Sequence, residues 1–157
     1  MNVEEANRSG RLHPSQRGKV LDGNFWTAAV LAVAGIAAAV FLAGYGGSAA
    51  LTTAVPILAL VAWFAFVCLR RLAEVRDGRL VAITGWTHDC GKERPAQEYP
   101  IELRETRNRG AVWHYLHAGG QTYRVDDRAL WARIQPERTN TVLMTPRSKL
   151  LVNVIPA

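Results

Sequence analysis

The chain has 157 residues and a formal net charge of +6, with 49% hydrophobic and 20% charged residues. These averages hide a segregation, because no residue between Asp22 and Arg70 is charged. That separation excludes an ordinary soluble globular chain and indicates a membrane protein with a polar part. The two cysteines, Cys68 and Cys90, lack the spacing of a metal pair and are compatible with a reducing compartment.

The first 24 residues are polar and include three glycines and a proline, which predicts a disordered cytoplasmic tail over residues 1–24. A cleaved secretory signal is the alternative interpretation of this tail and the apolar run that follows it. We favour an uncleaved span, because the tail is long, carries acidic residues and precedes an apolar run longer than a typical signal core.

The uncharged run is too long for a single membrane crossing. As one helix it would extend about 70 Å at about 1.5 Å per residue, whereas the hydrocarbon core of a bilayer is about 30 Å thick. Glycines and a serine within Ala43–Thr53 predict the point where the chain turns back. The sequence therefore predicts a transmembrane hairpin over residues 25–69, with spans at Phe25–Ala43 and Leu51–Leu69.

Small residues recur at helical spacing along the first predicted span. They are Ala28, Ala32, Gly35 and Ala39. Such spacing lets two helices approach closely, so these residues are the predicted helix-packing positions. The pattern leaves three partners open: the second span, a second copy of the chain, or another subunit.

Positive residues flank both ends of the predicted hairpin. Arginines and a lysine precede the first span, Arg70 and Arg71 follow the second, and the turn between the spans carries no charge. Because basic flanks stay on the cytoplasmic side, the sequence predicts a bacterial inner-membrane protein with both termini in the cytoplasm. Membrane lipids are then its first expected partners.

The chain after the second span changes from helical to β patterning. Residues 70–78 extend the helix as a linker that stops at Asp77-Gly78, and residues 79–157 form a predicted β-barrel domain. The segments RLVAITGWTHD and PIELRETR have the composition and alternation of strands. A last pair of strands, TNTVLMT and LLVNVIP, is joined by a turn at Pro146–Lys149.

The clearest β element is the hairpin Ala111–Val125, in which two alternating runs flank Gly119-Gly120. The two-residue turn sets the register and separates two faces. The expected core face carries Val112, His114, Leu116, Tyr123 and Val125. The opposite face carries Trp113, Tyr115, His117, Thr122 and Arg124. There we expect Tyr115 to be the aromatic neighbour of Arg124.

One short helix interrupts the strands. Asp126–Ile134 predicts it, with Asp126 or Asp127 as its cap and Leu130 and Ile134 on one face. The predicted fold class is therefore a membrane α-helical hairpin plus a small all-β barrel of OB or SH3-like type. Closure of such a barrel removes exposed strand edges.

Histidines and a cysteine raise the question of a metal or catalytic site. His88, Asp89 and Cys90 are consecutive, and His114 and His117 lie in one predicted strand. Because side chains alternate along a strand, positions 114 and 117 point to opposite faces and do not share one ion. The sequence places no base near Cys90 and contains no phosphate-binding glycine motif, so we expect no enzyme activity and no cofactor.

Two membrane helices followed by a small cytosolic barrel resemble the short NfeD-type proteins, in which a hairpin anchors an OB-like domain. The resemblance implies a regulator that pairs with a band-7 or stomatin-type membrane protein. The closing VLMTPRSKLLVNVIP is similar to the end of many bacterial two-span membrane proteins. Neither likeness transfers a functional residue to this chain.

Three functions compete. The first is a non-catalytic accessory or scaffold subunit of a larger membrane complex, because the predicted spans hold no ionisable residue and the barrel offers an aromatic and arginine face. The second is an NfeD-like regulator that forms homo-oligomers. The third is a membrane-tethered nucleic-acid-binding barrel, although tethering favours a protein partner. The predicted docking residues are Trp113, Tyr115, Arg124 and Trp86.

Overall fold

The chain folds as two compact units. The computed structural model describes residues 2–45, 47–91, 99–108 and 111–157. One unit is helical and spans Pro14–Gly78, and the other combines Met1–His13 with Arg79–Ala157. The uncharged apolar run builds the first unit, and the alternating β segments build most of the second.

Two long helices form most of the helical unit. The helices of the described chain are α1 Val3–Arg8, α2 Arg17–Val20, α3 Gly23–Tyr45, α4 Gly47–Asp77 and α5 Arg128–Trp131, with a 3₁₀ turn at Pro14–Gln16. The predicted spans lie inside α3 and α4, and α4 ends at Asp77, within the predicted helical linker 70–78. Over Gly23–Gly44 and Thr52–Asp77 these helices are long and apolar enough to cross a membrane.

The small-residue stripe of α3 faces α4. Ala28, Ala32 and Ala39 are buried, and a Cβ added at Gly35 would collide with the Cγ2 methyl of Val61. Only glycine allows this approach, because the β-branched Val61 has little rotamer freedom in a helix. Of the three partners that the sequence left open, the structure places the second span against the stripe.

Large apolar side chains cover the remaining surface of both helices. Exposed examples are Val33, Val40 and Phe41 on α3 and Leu60, Trp63 and Leu69 on α4. A helix pair in water normally keeps one polar face on each helix, and large apolar patches are rare on soluble monomers. The described surface of both helices is therefore largely apolar.

The charged end of the hairpin is held by an ion pair. Asp22 caps α3 by accepting a hydrogen bond from the Phe25 N–H at 3.0 Å, and the same carboxylate pairs with Arg71 of α4. Arg71 also donates to the Val20 carbonyl at 3.3 Å, and its side chain is only 12% exposed. The sequence singled out Arg71 only as a basic residue that follows the second span. In the structure its bonds to Asp22 and Val20 also hold the start of α3 against α4.

Six strands form one sheet in the described part of the second unit. They are β1 Val81–Asp89, β2 Ile101–Asn108, β3 Ala111–Ala118, β4 Gln121–Arg124, β5 Arg138–Met144 and β6 Leu151–Pro156. Their order is β4-β3-β2-β1-β5-β6, in which β1 and β2 are parallel and all other neighbours are antiparallel. The sheet curls into a half-barrel with β4 and β6 at its edges, whereas the sequence predicted a closed barrel.

The β3–β4 hairpin confirms the predicted register. Ala118 pairs with Gln121 across the turn. Gly119 and Gly120 have positive φ angles of 58° and 72°, which a two-residue turn of this hand requires. A Cβ at Gly119 would also collide with Ile83 of β1, so turn geometry and packing both select glycine there.

One face of the sheet packs on α5 to form the core. Its buried members include Ile101, Leu103, Leu116, Val142, Val154, Leu130 and Ile134. Asp127 caps α5, since its carboxylate accepts hydrogen bonds from the N–H groups of Ala129 at 2.9 Å and Leu130 at 3.3 Å. The helix is shorter than the predicted Asp126–Ile134, but Ile134 still reaches the core.

A buried amide attaches the segment after α5 to β1. Asn140 is fully buried, and its Nδ2 donates to Thr87 Oγ1 at 2.8 Å and to the Gln135 carbonyl at 2.7 Å. Its Oδ1 accepts from the Gln135 N–H at 3.2 Å. Because both ends of the amide have partners, its burial carries little of the usual penalty for a polar group.

The N-terminal residues differ from the predicted disordered tail. Asn2 caps α1, the Gly10 carbonyl accepts a hydrogen bond from the Leu80 N–H at 2.8 Å, and Arg11 forms an antiparallel bridge with Arg79. The cap is a local signal, but the polar composition hides the pairing with residues far along the chain. The first residues thus belong to the β unit.

Candidate protein-docking face

The outward side of the sheet lies opposite the core that α5 covers. Side chains alternate along each strand, and the paired, buried Leu103 and Leu116 mark the core side of β2 and β3. The outward residues of the three strands at this end are Glu102, Arg104, Thr106, Trp113, Tyr115, His117, Thr122 and Arg124. We call the surface formed by this set the β2–β4 face.

Arg124 is held between an aromatic ring and a carboxylate. Its guanidinium carbon lies 3.7 Å from the ring centroid of Trp113, and its Nε donates to Asp126 Oδ1 at 2.7 Å. The predicted aromatic neighbour was Tyr115, the direct cross-strand partner of Arg124. The structure has the diagonal neighbour Trp113 instead, because the bond to Asp126 draws the side chain past Tyr115.

A cleft of about 430 Å³ crosses the β2–β4 face. It is lined by Glu102, Arg104, Thr106, Tyr115, His117 and Thr122. Within it, His117 Nδ1 and Thr122 Oγ1 are hydrogen-bonded at 3.0 Å. The cleft combines charges of both signs, hydroxyl groups and one aromatic ring, which matches the mixed chemistry of a protein interface better than that of an apolar ligand pocket.

Trp86 lies on the outward side but apart from the other predicted docking residues. It is 45% exposed on β1. The β1–β2 register puts His88 beside Glu102, whereas Tyr115 lies beside Arg104. Trp86 is therefore two strands from Tyr115, about 10 Å across the sheet, and about 13 Å along the strands. A partner must cover the intervening β2 surface to contact both.

The N-terminal residues cover the β6 end of the outward side. A cleft of about 450 Å³ lies between Asn2–Glu4 and the β6 residues that include Asn153 and Ile155. The four consecutive β6 residues from Val152 to Ile155 are all buried, which requires cover on both faces of the strand. The exposed outward residues of β1, which are Ala82, Thr84 and Trp86, lie between this covered part and the β2–β4 face.

His88 and its neighbours make local contacts at the end of β1. The His88 ring stacks on Tyr99 with centroids 4.7 Å apart, and its Nδ1 lies 3.4 Å from Glu137 Oε1. The Asp89 N–H donates to the same Glu137 oxygen at 3.0 Å. These contacts attach the segment before β5 to β1.

Cys90 is a poorly activated thiol. Its Sγ lies 3.7 Å from Glu102 Oε2. Burial, and then the charge of Glu102, raise the pKa of the Cys90 thiol above its ordinary 9.0. A thiol with a raised pKa is mostly protonated near neutral pH and is a weak nucleophile and metal ligand.

His114 and His117 point to opposite faces, which confirms the alternation expected for their strand. His114 stacks on Trp131 at 4.3 Å on the core side, whereas His117 bonds to Thr122 on the outward side. Among the residues that the structure describes, no group of three His, Cys, Asp or Glu side chains could hold a metal ion. The sequence assigned His114 to the core face and did not anticipate its stacking on Trp131.

Comparison with protein-family models, curated proteins and solved structures finds no match to this chain. The two long apolar helices and the curled half-barrel agree with the general layout on which the likeness to NfeD-type proteins rests. Membership of that family stays a prediction.

Proposed function

We propose that this chain is a non-catalytic accessory or scaffold subunit of a larger bacterial membrane complex. Its hairpin anchors it in the bilayer, and its β2–β4 face docks another subunit. The observation that carries the proposal is the preordered stack of Arg124 on Trp113 beside Tyr115. Tryptophan, tyrosine and arginine dominate the binding energy of protein interfaces, and a residue already held in place loses less entropy on binding.

The apolar surface of the hairpin supports the anchoring role. Residues such as Val40 on α3 and Trp63 on α4 are more than half exposed, so an apolar medium has to cover them. Close packing of Gly35 on Val61 is the kind of contact that holds helices together in lipid, where apolar burial no longer drives their association. Lipid chains are the surroundings that satisfy both observations.

Residues that precede the hairpin pair with residues that follow it, which supports placing both flanks on the same side of the membrane. Gly10 and Arg11 pair with Leu80 and Arg79, so the residues that precede the first span and follow the second meet in one unit. Two crossings are consistent with this arrangement. The excess of arginine and lysine at these flanks favours the cytoplasm, at the inner membrane.

The type of the β domain is part of the proposal. We assign the half-barrel to the OB or SH3-like group, because its strands are short and strongly curled around one core. Such small barrels present the outer surface of their strands for recognition. The non-catalytic role is supported by the raised pKa of the Cys90 thiol, since that cysteine is otherwise the best candidate nucleophile.

The test is native mass spectrometry of the full chain, extracted from its own membranes in mild detergent. We expect a defined assembly with another subunit, which is lost when Trp113→Ala and Arg124→Ala are combined. Because the two side chains are stacked, their losses do not add, and the loss of one hot spot of about 2 kcal/mol would weaken docking by about thirtyfold or more. Lys149→Asn is the matched control, because Lys149 is an exposed cation in a turn with a φ of 54° that asparagine tolerates.

Two results would contradict the scaffold role. The first is a single partner-free species from native membranes. The second is an assembly that survives the Trp113 and Arg124 substitutions unchanged. A homo-oligomer sensitive to the same substitutions would instead favour the self-associating, NfeD-like regulator. Salt-sensitive binding of single-stranded nucleic acid would favour the third candidate.

A further inference from the structure

A groove lies beside the exposed edge of β3, where β4 has already ended. Its volume is about 320 Å³. It is lined by Val112, Trp113, His114, Val125, Asp126, Arg128 and Trp131. We call it the β3-edge groove, and it adjoins the β2–β4 face through Trp113.

The main chain of Val112 faces this groove without a strand opposite it. The Val125 N–H donates to the His114 carbonyl at 2.9 Å, and β4 is the edge strand at this end of the sheet. Hydrogen-bonding positions alternate along an antiparallel pair, so the next β3 residue to present its N–H and C=O on this side is Val112. The chain departs at Asp126 toward α5, and no described residue pairs with Val112 there.

The polar groups of the groove differ in whether a ligand can reach them. His114 Nδ1 is buried and has no hydrogen-bond partner among the described residues. Arg128 is exposed and forms no ion pair with them, whereas Arg124 is already bonded to Asp126 and Arg107 to Glu105. A main-chain edge and an exposed, unpaired guanidinium thus meet in one groove, whereas the buried His114 Nδ1 is out of reach of a ligand there.

We infer that the β3-edge groove takes an extended, acidic segment of a partner subunit, which adds a strand beside β3. Its main chain pairs with the N–H and C=O of Val112, and alternate apolar side chains pack on Val125 and the Trp131 ring. A carboxylate of the segment pairs with Arg128. This inference rests on the proposed docking function and names the chemistry of the docked partner.

A peptide from another subunit fits this edge better than a second copy of the chain. The free edge of β3 covers only the residues before His114, which is too short for a sheet that continues across two domains. Pairing of two copies at Val112 would also bring two Arg128 side chains to the same edge, and their like charges would repel. An acidic strand meets that charge with the opposite sign.

The test uses the full chain in nanodiscs of uncharged phosphatidylcholine and a displayed library of random ten-residue peptides. We expect enrichment of peptides with alternating apolar residues and at least one Asp or Glu. Binding of the enriched peptide should fall about tenfold or more in Val112→Pro, which removes the edge N–H at a position where an edge strand tolerates proline. Val112→Thr keeps that N–H and the branched shape, and should bind the peptide as the wild-type chain does.

Two further readouts separate a lost binding mode from a damaged fold. Arg128→Glu should reverse the charge preference of the enriched peptides from acidic to basic while the circular dichroism of the chain stays unchanged. Hydrogen exchange at the Val112 amide should be fast in the free chain and slow at least about tenfold when peptide is added.

The outcomes also distinguish this inference from the docking function on which it rests. No enrichment, or enriched peptides that bind Val112→Pro as well as wild type, would overturn strand addition. If native assemblies then still depend on Trp113 and Arg124, the docking function stands and only the edge mode fails. If assemblies ignore Trp113 and Arg124 while peptides protect Val112, the edge is a binding site of its own and the proposed docking face is wrong.

Discussion

Gly35→Ala should destabilise the hairpin, because the new Cβ would collide with the Cγ2 methyl of Val61 on α4. Forcing an extra carbon into a packed contact costs about 1–3 kcal/mol, and the helix propensity of alanine offsets about 1 kcal/mol of that. Gly44→Ala in the same helix is the matched control, since a Cβ there meets nothing within 4 Å. Because both variants gain the helix propensity of alanine, the difference between their free energies of unfolding reports the collision, at about 1–3 kcal/mol.

The assay is equilibrium unfolding of the full chain in mixed detergent micelles, followed by far-UV circular dichroism. Val61→Ala in the Gly35→Ala background should recover much of the loss, because it removes the methyl that the new carbon meets. In the wild-type background the same substitution should destabilise, since it leaves a gap against Gly35. Equal stability of the Gly35 and Gly44 variants would refute the close packing of α3 on α4.

Two further predictions concern the β unit. Iodoacetamide at about pH 8 should modify Cys90 more slowly in the folded chain than in denaturant, because burial and Glu102 raise the pKa of its thiol. Glu102→Gln should speed the reaction of the folded chain. Equal rates in the folded and denatured chains would contradict the raised pKa. Ala6→Glu should detach the N-terminal residues, since Ala6 is fully buried. The Leu80 amide, which donates to the Gly10 carbonyl, should then exchange its hydrogen faster, as followed by mass spectrometry. Unchanged exchange would show that this attachment does not depend on α1.

The sequence predicted best the features that depend on neighbouring residues. The Gly119-Gly120 turn alone determines the register of the β3–β4 hairpin, because a two-residue turn admits one pairing. Asp127 marks the start of α5, because its side chain bonds to the next turn of the same helix. The absence of charge between Asp22 and Arg70 likewise places both long helices.

Features that depend on distant residues were missed or misplaced. The N-terminal cap at Asn2 is visible in the sequence, but the bond between Gly10 and Leu80 joins segments separated by the whole hairpin. The stacking of Arg124 on Trp113 follows from the competing bond to Asp126, whereas register alone pointed to Tyr115. Cross-strand geometry limits which residues a side chain can contact. The strongest polar partner of the side chain then determines which of those residues it does contact.

The candidate site shows the same division. The sequence alone determined that Trp113, Tyr115 and Arg124 share one face, because alternation in a strand and the turn register require it. Only the tertiary structure decided that Trp86 lies two strands away and that the edge of β3 is open beside Arg128. Strand order and the path of the chain after β4 are set by contacts between segments far apart in sequence, and no local pattern encodes such contacts.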